Sequence, residues 1–118
     1  MKHITLLRAQ GSQSDYGYED VVYRKEYRCL AKVKSKPVQV FLADQLQTID
    51  TVEIRCPYYR PMDKEVARWA VLMDGNVYQV TGKQINDERS ARAREMKLTL
   101  QLDKKERDVK IVERATTN

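Results

Sequence analysis

The pattern of hydrophobic and polar residues is clearest over Arg68 to Ile85, where it predicts a β-hairpin. Two strand-like runs, Trp69 to Met73 and Asn76 to Thr81, flank the dipeptide Asp74-Gly75. Asp-Gly is a strong hairpin signal because a type I′ turn needs positive φ at both central positions. A two-residue turn also fixes the register, so that cross-strand neighbours share a face. One face is then a core face, composed of Trp69, Val71, Met73, Tyr78 and Val80.

The opposite face of the same hairpin is mixed in polarity, which predicts that it meets water or a partner. Its residues are Arg68, Ala70, Leu72, Val77, Gln79 and Thr81. This face is too apolar for plain solvent and too polar for a core.

A long strand is predicted over Val21 to Lys36, because its second half alternates in polarity. One side carries Cys29, Ala31 and Val33, and the other carries the basic stripe Lys32, Lys34 and Lys36. Two interpretations of the stripe remain open. The lysines either protect an edge strand against unwanted pairing, or they face phosphates or an acidic neighbour.

The apolar segment after this strand is ambiguous between a helix and an extended chain. Pro37 is expected to end the strand and can begin a helix. Positions Val38, Phe41 and Leu42 would then share a helical stripe, so a short helix or irregular loop is predicted over residues 38–46. An extended continuation of the strand is the alternative. An apolar segment of this kind on a loop favours docking onto another subunit.

Alternation elsewhere predicts further strands at Lys2 to Gln10, Thr51 to Tyr58, Lys97 to Asp103 and Asp108 to Arg114. The inward positions of the second and third are Val52, Ile54, Cys56, Met96, Leu98, Leu100 and Leu102. Two polar stretches, Gly11 to Asp20 and Asn86 to Arg94, are expected to be loops. The prediction is an all-β fold with at most one short helix: a small β-barrel of about six or seven mainly antiparallel strands with long loops. Residues 1–118 are expected to form a single domain.

Charge and cysteine content change this picture only slightly. The net charge of +5 and the pI near 9.2 suit contact with nucleic acid or with acidic proteins. Cys29 and Cys56 have no metal-binding spacing, so we expect two buried free thiols, with a disulfide as the alternative. The apolar N-terminal run is too short for a signal peptide or a membrane span, which predicts no membrane partner and synthesis in a reducing cytoplasm.

Catalytic chemistry is not indicated. His3 is the only histidine, and no carboxylate or cysteine lies at a telling spacing from it. The sequence contains neither a glycine-rich phosphate loop nor a nucleophile elbow. The acidic residues are scattered over loops, so we expect a non-enzyme that works without cofactor or metal.

A nucleic-acid-binding module of the OB type is one alternative. Tyr23 and Tyr27 interleave with Arg24, Lys25 and Arg28 on the long strand, as bases stacked on aromatics would require. Both tyrosines share the face that turns inward further along this strand, however, which argues against a stacking platform.

The order of these signals resembles the head-tail joining family of tailed bacteriophages, also called head-closure, stopper or head-tail adaptor proteins. The resemblance is carried by Thr51-Val52-Glu53-Ile54-Arg55, the aromatic and arginine residues up to Arg60, and Asp63, Arg68 and Asp74-Gly75-Asn76-Val77-Tyr78-Gln79-Val80. It extends roughly from Cys29 to Asp103.

The resemblance implies a structural protein of the virion neck, assembled in the host cytoplasm. It would form a homo-oligomeric ring between a portal-side adaptor and a tail-side joining or terminator protein, closing the head, retaining packaged double-stranded DNA and docking the tail. The stretch around Lys36 to Asp50 would be the loop that faces the channel. The residues implied for this channel-facing or inter-ring loop are Lys32, Lys34, Lys36, Phe41, Leu42, Asp44 and Gln45.

The hairpin's mixed face would then serve as a subunit interface, through Arg68, Ala70, Leu72, Val77 and Gln79. A tail-terminator-type ring protein is a further alternative, because such proteins are also small and rich in β-structure.

Overall fold

The computed structural model describes residues 1–13, 19–42, 45–86 and 94–113, with backbone alone at 11–13, 19–20, 36–42 and 45–50. These residues form seven β-strands in a single sheet. The strands are β1 (Lys2–Gln13), β2 (Glu19–Leu42), β3 (Gln45–Pro57), β4 (Trp69–Met73), β5 (Asn76–Asn86), β6 (Glu95–Lys105) and β7 (Lys110–Val112). The helical segments described are α1 (Arg60–Lys64) and a 3-10 turn at Glu106–Asp108.

The sheet closes on itself. Its order is β1-β4-β5-β6-β3-β2-β7, and β1 also pairs with β2. Six strands therefore form a closed ring, and β7 adds in parallel to β2 at Val22–Arg24. All other pairings among the described strands are antiparallel. The prediction of an all-β fold of six or seven mainly antiparallel strands is confirmed.

The β4–β5 hairpin has the predicted turn and register. Asp74 and Gly75 have φ angles of 53° and 75°, as a type I′ turn requires. Met73 lies opposite Asn76, and Val71 opposite Tyr78. The predicted core face is confirmed: Trp69, Val71 and Met73 are buried in the main core, and Tyr78 and Val80 pack against it.

The segment after Pro37 is where the prediction of a helix or irregular loop is wrong. Strand β2 continues through Pro37 to Leu42 and pairs with β3 down to Leu42 opposite Gln45. Proline is tolerated there because β1 pairs with β2 only as far as Ala31, so one edge of β2 has no partner among the described strands. Residues 43 and 44, including Asp44, lie outside the described residues.

A second, smaller cluster lies on the other face of the sheet. Leu7, Tyr23, Ala70 and Val77 are buried in it, and Val109 and Ile111 pack against it from the C-terminal segment. Adjacent residues Leu6 and Leu7 are both fully buried, one in each cluster. The β1–β4–β5 part of the sheet is therefore covered on both faces.

A register shift in β2 explains another departure from simple alternation. Leu6 pairs with Tyr27 and Leu7 with Lys25, which leaves Glu26 as the extra residue of a β-bulge. The prediction that Tyr23 and Tyr27 share one face therefore fails at this point, and Glu26 is buried.

The inward prediction for β6 holds at Met96, Leu98 and Leu100, which are buried, but is wrong at Leu102, which is 55% exposed. Strand β3 pairs with β6 only as far as Gln101, so no third strand covers Leu102. Cys56 is buried and Cys29 half-buried, and both are free thiols as predicted. Several residues considered in the sequence lie outside the described residues: Tyr16, Tyr18, most of the polar stretch after Asn86 and the C-terminal residues 114–118.

Candidate interaction surfaces

A two-stranded arm is formed by residues 36–42 of β2 and 45–50 of β3. These residues pair with each other from Pro37 opposite Asp50 to Leu42 opposite Gln45, and Lys36 lies opposite Thr51 at the base of the arm. In the described structure no third strand joins them, because β6 pairs with β3 only from Thr51 onwards. With a rise of about 3.3 Å per residue, the arm extends roughly 20 Å past the last three-stranded position.

The arm contains most of the residues predicted for a channel-facing loop. Backbone positions of Lys36, Phe41, Leu42 and Gln45 all lie in the arm, whereas their side chains lie outside the described residues, as does all of Asp44. Lys32 and Lys34 precede the arm on β2 and are exposed. They lie at its base, on the outer face of the sheet.

The outer face of β2, β3 and β6 carries a row of cations. Lys32 lies opposite Arg55, and Arg55 lies opposite Lys97 on the next strand. Like charges at directly opposed positions repel each other. Glu53 offsets part of this charge, because its Oε1 lies 3.1 Å from Lys97 Nζ. This basic row was not found from the sequence, because it requires the register of three strands.

The mixed face of the β4–β5 hairpin is only partly available. Ala70 and Val77 are fully buried in the second cluster, so these two positions of the face predicted to meet water or a partner are covered within the chain. The cause is the C-terminal segment, whose Val109 and Ile111 cover this face. Arg68 is exposed, and Leu72 and Gln79 are half-buried.

A cleft of about 740 Å³ opens beside this face, with Arg68 and Gln79 in its wall. The amide nitrogen of Gln79 donates hydrogen bonds to the Tyr23 hydroxyl, at 2.5 Å, and to Asp103 Oδ2, at 3.0 Å. These bonds fix the Gln79 amide within the chain.

A buried acid ties β1, β2 and the β3–α1 connection together. Glu26 Oε1 lies 2.5 Å from Arg24 Nη2 and 3.1 Å from Arg8 Nε. The Tyr59 hydroxyl donates a hydrogen bond to Glu26 Oε2 at 3.1 Å. Arg8 also lies over the Trp69 ring, 4.6 Å from its centroid, and forms an ion pair with Glu65. A buried carboxylate with these partners positions the three segments that it contacts.

The surroundings of Glu26 lower the pKa of its carboxyl group. Burial alone raises this pKa, but the hydrogen bonds from Arg24 and Tyr59 and the charge of Arg8 outweigh it. The carboxyl therefore stays ionised at neutral pH. Its contacts with Arg8, Arg24 and Tyr59 give this carboxylate a structural role, because they hold these segments together.

The two tyrosines of the OB-type alternative do not form a binding platform. Tyr23 is buried in the second cluster. Tyr27 is partly exposed, and its ring stacks on Tyr59 at a centroid distance of 4.9 Å and an interplanar angle of 7°. Stacking within the chain occupies one face of the Tyr27 ring, so neither tyrosine offers the arrangement that single-stranded nucleic acid needs.

The connection between β3 and β4 is fixed by Asp63. The Tyr58 hydroxyl donates to Asp63 Oδ2 at 2.7 Å, which lowers the pKa of the Asp63 carboxyl and raises that of the Tyr58 hydroxyl. Lys83 donates from β5 to the backbone carbonyls of Met62 and Asp63, both at 3.1 Å. The short helix α1 is thereby tied to β5 as well as to β3.

Neither a metal centre nor a membrane span is found in the part of the chain that the structure describes. No group of three or more histidine, cysteine or acidic side chains there has the arrangement of a metal site. None of the helical segments described has the length and apolar character to cross a bilayer.

A protein-family model described as phage head completion protein matches residues 2–103. The match covers the whole closed set of strands up to the last part of β6. No curated protein matches the chain.

Proposed function

The chain belongs to the phage head completion protein family, and from that premise we propose that it forms a homo-oligomeric ring in the neck of the virion. Membership gives the coarser function directly, a structural role in completing the phage head in company with other phage proteins. The finer proposal is that the ring lies between a portal-side adaptor and the tail, closes the head, retains the packaged DNA and offers the docking surface for the tail.

The observation that carries this proposal is the two-stranded arm. An isolated pair of strands is marginally stable in water. The arm nevertheless continues both strands for several residues past the last position where β6 pairs with β3. A partner that covers it would provide the missing stabilisation, and in a ring of identical subunits that partner is either a neighbouring subunit or the adjoining ring.

The charges near the arm agree with a position beside the DNA channel. Lys34 is exposed at its base, and Lys36 begins it. Phosphates attract such side chains in a salt-dependent way without any reading of sequence. A structural channel needs this kind of contact, because the DNA must pass through it.

The second contact proposed is the hairpin face that remains accessible. Arg68, Leu72 and Gln79 would meet a neighbouring subunit, while Ala70 and Val77 would support them from within the second cluster. A head-to-tail ring needs two different surfaces on each subunit. The arm and this face lie on different strands and satisfy that requirement.

The test uses DNA-filled heads of the encoding phage that lack this protein. Purified protein is added, and DNA release and tail joining are measured. The decisive variant is arm-shortened, with Asn-Gly in place of residues 39–48. We expect the wild-type protein to restore DNA retention and tail joining, and the arm-shortened variant to fold but to leave the heads leaking.

Lys105→Ala serves as the matched control, because Lys105 is exposed on β6 outside both proposed contacts. It should behave as wild type. Retention and joining by the arm-shortened variant at wild-type levels would contradict the role of the arm. Binding to free tails in place of heads would favour the tail-terminator alternative.

A further inference from the structure

A groove opens where β2 separates from β3, and we refer to it as the β2–β3 groove. The two strands pair from Lys32 opposite Arg55 towards the arm, although β3 itself runs on to Pro57. On the other side of that point β2 leaves β3 and pairs with β1, from Ala31 to Tyr27. The resulting groove has a volume of about 450 Å³. Its wall includes Tyr27, Arg28, Leu30, Lys32, Arg55 and Glu95.

The groove is basic. Arg28, Lys32, Arg55 and Arg94 contribute four cations to its wall, and Glu95 contributes the opposing charge. Within the described part of the chain no ion pair forms at Arg28, Lys32 or Arg55. Lys32 and Arg55 also lie directly opposite each other, where their repulsion opposes the pairing of β2 with β3. Carboxylates from outside would relieve that repulsion.

The groove is also apolar at one end. Leu30 is 44% exposed and Tyr27 is 38% exposed, and Met1 lies beside them in the wall. These are three of the five large hydrophobic side chains that the described structure exposes. A concentration of exposed apolar surface beside a charged rim is typical of a protein-binding site.

We propose that the β2–β3 groove binds an acidic segment of another protein that carries an apolar side chain. The apolar side chain would pack against Leu30 and the exposed part of Tyr27. Flanking aspartates or glutamates would pair with Arg28, Lys32 and Arg55, where bidentate contacts to the two arginines add geometric selectivity.

DNA fits the groove less well than an acidic polypeptide. Phosphates would interact with the cations, but a phosphate backbone gains nothing from burying Leu30. Glu95 in the wall and Glu53 beside the cation row repel phosphates and carboxylates alike, so the apolar end of the groove makes the difference. An acidic segment with an apolar anchor uses both the charged and the apolar parts of the groove.

The inference rests on the proposed function in one respect: the segment would belong to another structural protein of the phage particle. The groove does not depend on the arm, because it lies on the other side of the Lys32–Arg55 pair. A failure of the arm in DNA retention and a failure of the groove in peptide binding are therefore distinguishable.

The experiment measures fluorescence anisotropy with the full chain and a labelled synthetic peptide in which aspartates and glutamates flank one leucine. We expect saturable binding that weakens as salt rises. Lys32→Glu should weaken it about tenfold, as the loss of a favourable charge pair and the gain of a repulsive one predict. Leu30→Ser should also weaken it about tenfold, because the apolar contact is lost.

Matched controls make the result specific. Lys105→Glu makes the same charge change at an exposed site outside the groove and should leave binding unchanged. A second peptide with serine in place of leucine should bind about as weakly to the wild-type chain as the first peptide binds to Leu30→Ser. The unfolding midpoint of each variant is measured. Leu30→Ser should leave it unchanged because Leu30 is exposed, and Lys32→Glu should not lower it because it places a carboxylate opposite Arg55.

Absence of saturable binding would overturn the proposal, as would equal binding by Lys32→Glu and Lys105→Glu. A labelled DNA duplex provides the remaining outcome. Tighter binding of the duplex than of the peptide, weakened by Lys32→Glu and unaffected by Leu30→Ser, would overturn the proposal in favour of a phosphate-binding face.

Discussion

Strands β2 and β3 pair over two consecutive stretches whose surroundings differ. In the body of the sheet, over residues 32–35 and 52–55, Val33, Val52 and Ile54 pack in the main core and β6 pairs along the other edge of β3. In the arm, the same two strands pair without a third strand in the described structure. Backbone hydrogen bonding is alike in both stretches, so burial and neighbouring strands must account for any difference in their stability.

This difference predicts which positions of the chain tolerate substitution or deletion. A β-ladder contributes little on its own, because water offers the same hydrogen bonds to the unfolded chain. The body is stabilised by buried side chains, whereas the arm has no third strand in the described structure to stabilise it. The predictions below compare the two stretches, beginning with the largest expected effect.

The largest effect is expected from the same substitution made once in each stretch of β3. Ile54 is fully buried in the main core, so Ile54→Ala should lower the free energy of unfolding by about 3 kcal/mol. Ile49→Ala, in the arm, should change it by less than about 0.5 kcal/mol. Urea denaturation measures both. Equal losses at the two sites would show that the arm is packed as the body is.

A smaller effect on stability, dependent on pH, is expected at Glu26, which lies in the β1–β2 bulge outside the arm. Glu26→Gln removes a buried negative charge from Arg8, Arg24 and Tyr59, and should lower the free energy of unfolding by about 2 kcal/mol at neutral pH. The folded-state pKa of Glu26 is lowered, so its contribution is fully present above the unfolded-state pKa and is lost as the pH falls through the folded-state pKa.

The measurement is urea denaturation of wild type and Glu26→Gln between neutral and strongly acidic pH. The difference between the two proteins should shrink as the wild-type carboxyl is protonated. Parallel curves over the whole range would contradict the assignment. Lys34→Gln, an exposed change on the same strand, should give a curve parallel to wild type at every pH.

The smallest effect on stability is expected from shortening the arm. Replacing residues 39–48 by Asn-Gly removes strand pairing that no third strand supports and supplies a tight turn of the preferred type. The free energy of unfolding should change by less than about 1 kcal/mol, since loop-closure entropy varies only slowly with loop length. Thermal unfolding followed by circular dichroism measures the change. A loss comparable to that of Ile54→Ala would show that the arm contributes to the free energy of unfolding as the body does.

The sequence predicts the body better than the arm, for reasons that particular residues illustrate. Asp74-Gly75 defines the turn and register of β4–β5 because few other conformations suit that pair. The alternation of Val52, Ile54 and Cys56 identifies β3 because one of its faces is buried. Pro37 wrongly indicates the end of β2. Proline interrupts a strand that is paired along both edges, and only the topology shows that one edge of β2 is free at this point.

The interaction surfaces were less accessible to sequence reasoning because they depend on pairings distant in the chain. Ala70 and Val77 are buried by the C-terminal segment, which no local pattern connects to them. Glu26 becomes buried because a bulge shifts the register, and a bulge leaves no reliable mark in a charged stretch. The cation row Lys32–Arg55–Lys97 needs the mutual register of three strands.

The parallel pairing of β7 with β2 has a consequence for how the chain folds. It brings the last strand described to one of the first, and with it Val109 and Ile111 to the second cluster. Contacts between such distant segments form slowly, because a long loop must close before they contribute. During synthesis, Ala70 and Val77 therefore stay uncovered until β7 has left the ribosome, and a nascent chain halted before that point would expose an apolar patch prone to aggregation.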